Sequence, residues 1–557
     1  MPLLWLIVIL LPLALAPWLT LAGHLSGQAH WKRMRLYLTV APWPALLAGI
    51  LWPDALPATA LWPGAEWGDT GSLGRTLLLF TATLWSLAGL YAGQRLQSEP
   101  RPGPFCGFWL LALTGNLLLI IAADAISFYI GFTLMSLAAY GLVIQPRTPS
   151  ARRAGRLYLQ LAVLGEMLLY GGLMLRLHET GGASAFNDWH NIAVQPLTAA
   201  LLLVGFGLKA GFWPLHLWLP QAHPVAPPAA SAVLSGAMLK AGFLGLWQFL
   251  PVQSDVLSVW SPWLLAAGFT GAFYAALVGL LTTKAKTALA FSSVSQMGYL
   301  LIIVALAWRF PEERAAWATL LGLYAVHHGL AKGSLFLGAG LAAAGSLSRG
   351  LWLVLWLPAL ALAGLPLTSG AAAKVELKSL LGETSWEAGI ALLSVGSLCT
   401  ALVVMRALYL MRPAPHGMPT AATQTSPVFL LALASVVLPW SWPPLREAHW
   451  YSFSLENLFA LIWPLGLAAV IAWSWQRTLG RVPTVLQQLP SPGPILSLRL
   501  HRWLRGGLGA SLTASTAGRQ RRWRHWERRW NRFWQQEPVL LSAWISGLLL
   551  LLGWLWL

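Results

Sequence analysis

The sequence predicts an all-α polytopic membrane protein of about sixteen transmembrane helices, built on two inverted five-helix repeats that contain broken helices. Three observations predict it. The 557 residues are 57% hydrophobic and 10% charged, with a mean hydropathy of +0.63, which no soluble globular class sustains. Apolar runs of about 20 residues, the length that crosses a bilayer, recur along the whole chain, and the loops between them alternate in charge. Two runs are interrupted by proline and glycine beside lysine, at matching places in the segment order.

In order, the expected spans lie near 2–22, 36–52, 74–95, 105–121, 122–145, 155–176, 196–215, 226–250, 259–282, 285–308, 315–346, 351–382, 386–411, 426–442, 453–475 and 538–557. The first lacks the positive region that opens a signal peptide, and its charges (Lys32, Arg33, Arg35) follow it; it reads as a retained helix. Odd-numbered loops carry Lys32/Arg33/Arg35, Arg95/Arg101, Arg147/Arg152/Arg153/Arg156, Lys284/Lys286, Arg349 and Arg412. Even-numbered loops carry Asp54/Glu66/Asp69, Glu179/Asp188, Asp255, Glu312/Glu313 and Glu383/Glu387. Counting Lys and Arg places the odd loops in the cytoplasm and both termini on the outer, periplasmic side of a bacterial inner membrane. The same rule accounts for most of the net charge of +18 without a nucleic-acid partner.

The chain divides into N-terminal helices (1–104), a first repeat (105–250), a second repeat (251–411), additional helices (412–476), a basic segment (477–537) and a last helix (538–557). In the basic segment Trp523, Trp526, Trp530 and Trp534 recur at helical spacing among arginines. That pattern describes a helix in the lipid headgroups, or a clasp along neighbouring subunits. Cys106 and Cys399, both in apolar runs, offer no disulfide framework and no Cys-based metal or iron–sulfur site.

The first interruption falls in Gly207–Gly242, GLKAGFWPLHLWLPQAHPVAPPAASAVLSGAMLKAG, where Lys209 and Lys240 flank Pro214, Pro220, Pro224, Pro227 and Pro228. A continuous helix cannot hold those prolines. A charge at the bilayer centre costs about 2.5–3.5 kcal/mol even on lenient scales, so the lysines point to an ion path. The second interruption, LAGLPLTSGAAAKVELK, contains Pro366, Gly370 and Lys374, with Glu376 and Lys378 beside it. Repeats of five helices, an odd number, run in opposite senses across the membrane, and interrupted helices at matching positions are a transporter signature.

These residues carry a resemblance. The 207–242 motif, FSSVSQMGYL (291–300), HHGLAKGSLFLGAG (327–340) and the run ending at Lys374 resemble, in order, the core of the proton-conducting antiporter-like family. Its members include the large membrane subunits of respiratory complex I, of formate-hydrogenlyase-type hydrogenases and of multisubunit cation/proton antiporters. The resemblance covers roughly residues 74–411 and is nearest the hydrogenase-type branch; another branch serves inorganic-carbon uptake complexes. It implies that Lys209 and Lys240 are the seventh- and eighth-helix lysines, His328 (four residues before Lys332) the eleventh-helix histidine, and Lys374 the twelfth-helix exit residue. Together they would form a midplane chain of protonatable groups and water. It also implies other membrane subunits as partners, with a soluble or peripheral module supplying energy.

One position departs. Where the family has W-E-L-M-S in its fifth helix, with a glutamate that pairs with the seventh-helix lysine, this chain has Phe132-Thr133-Leu134-Met135-Ser136. Glu166, in LAVLGEMLLYGG, is the candidate replacement. Thr133 lies about twelve residues and Glu166 about ten from the cytoplasmic ends of their helices, so at 1.5 Å per residue their depths differ by about 3 Å. Glu166 either neutralises Lys209 or bonds a neighbouring Ser, Tyr or backbone group.

Accessory candidates are His327, Glu376 and Lys378, the last two as a local pair at the exit. Asp124 is either an accessory or only a helix-boundary residue. His216 and His223 lie toward one end of the broken helix and are not read as metal ligands. No quinone, flavin, nucleotide or iron–sulfur motif is present in the sequence, so no cofactor and no catalytic centre is assigned. Any redox chemistry, as in an NADH:quinone oxidoreductase-like or hydrogenase-like assembly, belongs to partners. The leading reading is a proton-translocating subunit of a multisubunit energy-converting complex. Two alternatives stay open: a proton-driven subunit of a cation-exchange or inorganic-carbon uptake complex, and a non-conducting scaffold.

Overall fold

In hydrocarbon every backbone N–H and C=O must be bonded within the protein, which leaves helices as the available spanning form for so apolar a chain. A computed structural model describes residues 2–22, 28–59, 61–68, 70–96, 99, 102–190, 192–251, 253–382, 387–413, 421–441 and 454–478. The basic segment expected over 477–537, from 479 onward, and the last span at 538–557 lie outside the described residues, as do the loop charges Asp69, Arg101 and Glu383.

The chain opens with α1 (Leu4–Ala22), α2 (Gln28–Val40) and α3 (Trp43–Leu51). The span expected over 36–52 is one apolar stretch, Lys32–Leu51, with a turn at Ala41–Pro42 that separates α2 from α3. Pro42 precedes α3 and Pro44 falls in its first turn, where a missing N–H costs nothing and a fixed φ suits a new helix. A short hairpin, β1 (Leu56–Pro57) with β2 (Glu66–Trp67), leads to α4 (Gly71–Arg95). Then come α5 (Pro102–Ile121), α6 (Ala125–Ile144) and α7 (Pro149–Glu179), followed by the short α8 (Phe186–Trp189). Asp124 caps α6 by accepting the Ser127 N–H at 2.8 Å, which fixes the boundary that hydropathy places near Ala122.

The first interrupted region comprises α9 (Pro196–Ala210), α10 (Leu219–Val225), α11 (Pro228–Val233), a π turn (Leu234–Met238) and α12 (Lys240–Phe249). Two long helices, α13 (Asp255–Leu280) and α14 (Ala285–Arg309), pack on each other, and α15 (Arg314–Ala343) packs on α14 and α4. The second interrupted region comprises α16 (Arg349–Val354), α17 (Trp356–Ala363) and α18 (Ser369–Gly382). The described chain ends with α19 (Glu387–Leu410), α20 (Ala422–Ser441) and α21 (Leu455–Thr478, the last element).

Among the described residues eleven helices are long and apolar enough to cross a membrane. Three apolar helices are shorter: Pro196–Ala210, Arg349–Ala363 and Ala422–Leu438. The first two are short because they stop at the interruptions. α15 has 30 residues yet is not among the eleven; His327, His328 and Lys332 dilute its apolar run. The protein is thus a helical, multi-pass membrane protein. α5, α11–α12 and α14 are enclosed by other helices over their whole apolar length. Outer helices such as α7 turn Leu164, Met167 and Tyr170 outward.

Candidate functional site

The interruptions place lysine ammonium groups beside backbone carbonyls. α9 ends at Gly211 in the left-handed conformation (φ 68), one the absence of a Cβ permits. Lys209 therefore lies in the last turn, where the helix dipole favours a cation. The freed Leu208 carbonyl accepts the Trp218 indole N–H at 2.7 Å. α17 ends the same way at Gly364 (φ 92), and its Ala363 carbonyl accepts the Lys374 ammonium at 2.7 Å. A Cβ on Gly364 would fall 2.8 Å from Lys374 Cδ and 3.1 Å from Nζ, so this residue secures both the break and the approach of the lysine. The π turn exposes the Ser235 carbonyl, which accepts the Lys240 ammonium at 2.7 Å. Lys286 Nζ donates to the Ala226 carbonyl just before α11 restarts, at 2.6 Å. Carbonyl dipoles thus stand where carboxylates would be expected. Each charge-assisted bond contributes about 1.5–3 kcal/mol against a burial penalty of several kcal/mol per ion.

Lys240 and His328 meet directly, Nζ to Nδ1, at 2.6 Å, and both are buried. Ser235 Oγ bonds Ser293 Oγ at 2.8 Å. Ser293 Oγ donates to the Leu289 carbonyl at 3.0 Å, and Lys332 Nζ donates to the same oxygen at 2.9 Å. The adjacent His327 turns the other way and meets Ser369 Oγ on α18 at 2.9 Å. Lys374, also on α18, donates to Ser397 Oγ at 2.7 Å. Consecutive histidines on α15 therefore face different halves of the molecule, His328 toward Lys240 and His327 toward the helix that carries Lys374. Beside them Tyr324 donates to Gln296 Oε1 at 2.9 Å and Gln296 Nε2 to Thr400 Oγ1 at 3.2 Å.

The departure at Thr133 resolves into a contact. The Thr133 hydroxyl donates to Glu166 Oε2 at 2.6 Å, in keeping with their matched depths. Glu166 and Lys209 do not touch. Lys209 Nζ donates to the Tyr158 hydroxyl at 3.1 Å, and the carboxylate and ammonium line one small cavity with Ser136, Tyr158 and Trp218.

Asp124 is wholly buried and fully engaged. It accepts from Ser127 N–H and Oγ–H, from the Glu66 N–H at 3.1 Å and from the Trp62 indole at 3.3 Å. It ties the β1–β2 connection to the start of α6, apart from the lysine chain. Lys378 is acted on electrostatically by Glu456 of α21, while Glu376 stands half-buried two residues from it on α18.

Sequence reasoning did not single out Tyr158, Ser235, Ser293, Gln296, Tyr324, Ser369, Ser397 or Thr400. Their signal was present: each is a polar side chain within an apolar run, and such residues tend to face the bundle interior. Which face each takes depends on helix rotation.

Comparison with known proteins agrees with the fold and the motif order. The family model described as NADH:quinone oxidoreductase/Mrp antiporter, TM, matches residues 122–400. Hydrogenase-4 component B of Escherichia coli (strain K12) is 32% identical over 283 residues, 48% of this chain and 42% of that protein. This chain thus spans less than half the length of that relative. NADH-quinone oxidoreductase subunit N 1 of Sorangium cellulosum (strain So ce56) is 29% identical over 380 residues, 61% of this chain and 73% of that protein. Among solved structures, a chain of the Mrp complex from Dietzia sp. DQ12-45-1b superposes with a TM-score of 0.75 at 20% identity, covering 98% of this chain and 63% of that one. A chain of the membrane-bound sulfane sulfur reductase, an archaeal respiratory membrane complex, gives 0.68 at 20% identity, covering 80% and 77%. At such identities the likeness is one of fold.

Proposed function

We propose, from the premise that this chain belongs to the NADH:quinone oxidoreductase/Mrp antiporter transmembrane family, that it is a proton-translocating subunit of a multisubunit energy-converting complex in a bacterial inner membrane. The observation that carries this is the buried 2.6 Å contact between Lys240 Nζ and His328 Nδ1. An ammonium that donates to an imidazole nitrogen is one bond exchange from an amine beside an imidazolium, and histidine titrates in the working range. His327, on the opposite side, continues toward Ser369, and Lys374 sits on the same helix. The proposed path runs Glu166–Lys209, then Lys240–His328 with Lys332 alongside, then His327–Lys374, with Glu376 and Lys378 at the exit.

Sixteen spans with two inverted repeats, and both termini outside, complete the reading. It is supported by the left-handed glycine that ends a helix in each half, Gly211 and Gly364, followed by Pro214 and Pro366. Partner subunits supply the driving reaction, redox or otherwise, and the basic segment at 477–537 lies along lipid headgroups or those partners. The test is ion flux into vesicles holding the full chain with its copurifying subunits, in sodium and in sodium-free buffer. Acidification that persists without sodium and vanishes in Lys240→Met is expected. Flux that requires sodium, or survives Lys240→Met, overturns the reading.

A further inference from the structure

The cavity between Glu166 and Lys209 holds an exception to the usual bonding of helical hydroxyls, at Ser136. Helical Ser and Thr side chains in this protein commonly donate to the carbonyl four residues back: Thr83 to Leu79, Ser86 to Ala82, Thr114 to Leu110 and Ser293 to Leu289. Among the described residues Ser136 Oγ makes no well-formed hydrogen bond, although the residue is only 1% exposed and its side chain acts on the Glu166 carboxylate. It faces the cavity lined by Glu166 and Lys209. An orphaned buried hydroxyl is costly, and the cavity leaves ≈ 10 Å³ for the centre of a water molecule, close to what a single water needs.

The neighbouring groups close off other routes between the two charges. The Tyr158 hydroxyl donates to the Ser136 carbonyl at 2.8 Å, so toward Lys209 it acts as acceptor and has no second proton to give. Thr133 occupies Glu166 Oε2, and among the described residues Oε1 accepts no well-formed hydrogen bond, Ser136 being the other hydroxyl that acts on this carboxylate. Lys209 has three N–H groups and gives one to Tyr158. Ser136 Oγ, Glu166 Oε1 and Lys209 Nζ are thus the unspent groups around a one-water volume, within the two to four partners a buried water takes.

The geometry points to a one-water transfer site in which Ser136 positions the water that joins Glu166 to Lys209. This rests on the proposed path and specifies how its first step is made without the usual fifth-helix carboxylate. The ammonium gives a proton to the water as the water gives one to the carboxylate. An amine, a carboxylic acid and an unchanged water result, and the net charge is conserved. Ser136 takes no proton and is a positioning residue.

Two variants of the full chain test it. Ser136→Ala removes the hydroxyl and leaves the cavity. Gly165→Ala keeps every polar group but adds a Cβ that would meet Gly205 O at 3.4 Å and Leu208 Cβ at 3.6 Å. Both atoms belong to cavity-lining residues, and the contact is an ordinary one, so the change narrows the cavity without a clash. Each protein goes into phosphatidylethanolamine/phosphatidylglycerol vesicles. Proton flux is recorded together with the infrared O–H stretch that shifts on exchange into H₂¹⁸O. The wild type should show one shifted band of a weakly bonded water, absent from both variants. Flux should fall about tenfold or more, at or below the effect of losing a positioned proton donor, with melting temperatures unchanged. A band that persists in both variants, or flux equal to wild type, overturns the inference. Should the wild type show the band but no flux, the conduction reading fails and the water site stands.

Discussion

Replacing Gly364 with alanine perturbs the exit half of the proposed path through one methyl group. The native φ of 92° costs an L-residue about 1–2 kcal/mol. The new Cβ would lie 2.8 Å from Lys374 Cδ and 3.1 Å from Nζ, so the lysine must shift from its place against the Ala363 carbonyl and Ser397 Oγ, each now at 2.7 Å. Two charge-assisted bonds at about 1.5–3 kcal/mol each are at stake, partly recovered if the ammonium finds another carbonyl. A net destabilisation of about 2–4 kcal/mol follows. Gly466 on α21 has nothing within 4 Å of a Cβ, so Gly466→Ala is the matched control and gains up to about 1 kcal/mol of helix propensity. Thermal unfolding in detergent, paired with proton flux per folded molecule, reads both effects. Gly364→Ala should melt below wild type and conduct poorly, while Gly466→Ala melts at or above it and conducts normally. Equal melting and equal flux for the two would refute the carbonyl-held lysine.

Other consequences follow from the same geometry. Asp124→Asn exchanges one accepting oxygen for a donor amide that faces donors, so it should lower the melting temperature by the equivalent of about 1–3 kcal/mol while flux per folded molecule stays at wild type; a specific loss of flux would return Asp124 to the path. His190, in the connection between α7 and α9, is held down to about 4 from 6.5 by burial and by the Arg314 and Arg176 charges. Unfolded His190 takes up a proton near pH 6.5 and the folded form stays neutral to about 4, so stability is full above 6.5 and declines as pH falls across that window. His190→Asn should flatten the melting temperature over that range, and an unchanged pH profile would count against the assignment. Thr133→Val should reduce flux by freeing the Glu166 carboxylate to turn from the cavity, and Thr133→Ser, which restores the 2.6 Å donor, should recover it.

Much of this architecture was legible because lipid makes polarity conspicuous. Lys209, Lys240 and Lys374 stood out since charge in an apolar run is costly, and the prolines and glycines beside them marked the breaks. Glu166 came into view as a carboxylate in an apolar run at a depth matching Thr133, and the structure brings it to Thr133, though not into contact with Lys209. The π turn at Leu234–Met238 had no signature, because it depends on how α11 and α12 pack rather than on a residue type. Nor could spacing decide which of two adjacent histidines meets Lys240, since that is a matter of how α15 is rotated. Ser369, Ser397 and Thr400 gave the weakest signal: one hydroxyl in a transmembrane helix most often bonds its own backbone, and only the packed structure shows these facing His327, Lys374 and Gln296 respectively.

The central claim is that Lys240 and His328 act in series along one proton path, and a double-mutant cycle on flux tests it most directly. Proton flux into vesicles is measured for wild type, Lys240→Met, His328→Gln and the double variant. Two residues of one path should be non-additive: each single change abolishes most of the flux and the double loses no more than the worse single. Losses that multiply, or a His328→Gln protein that conducts as well as wild type, would contradict it.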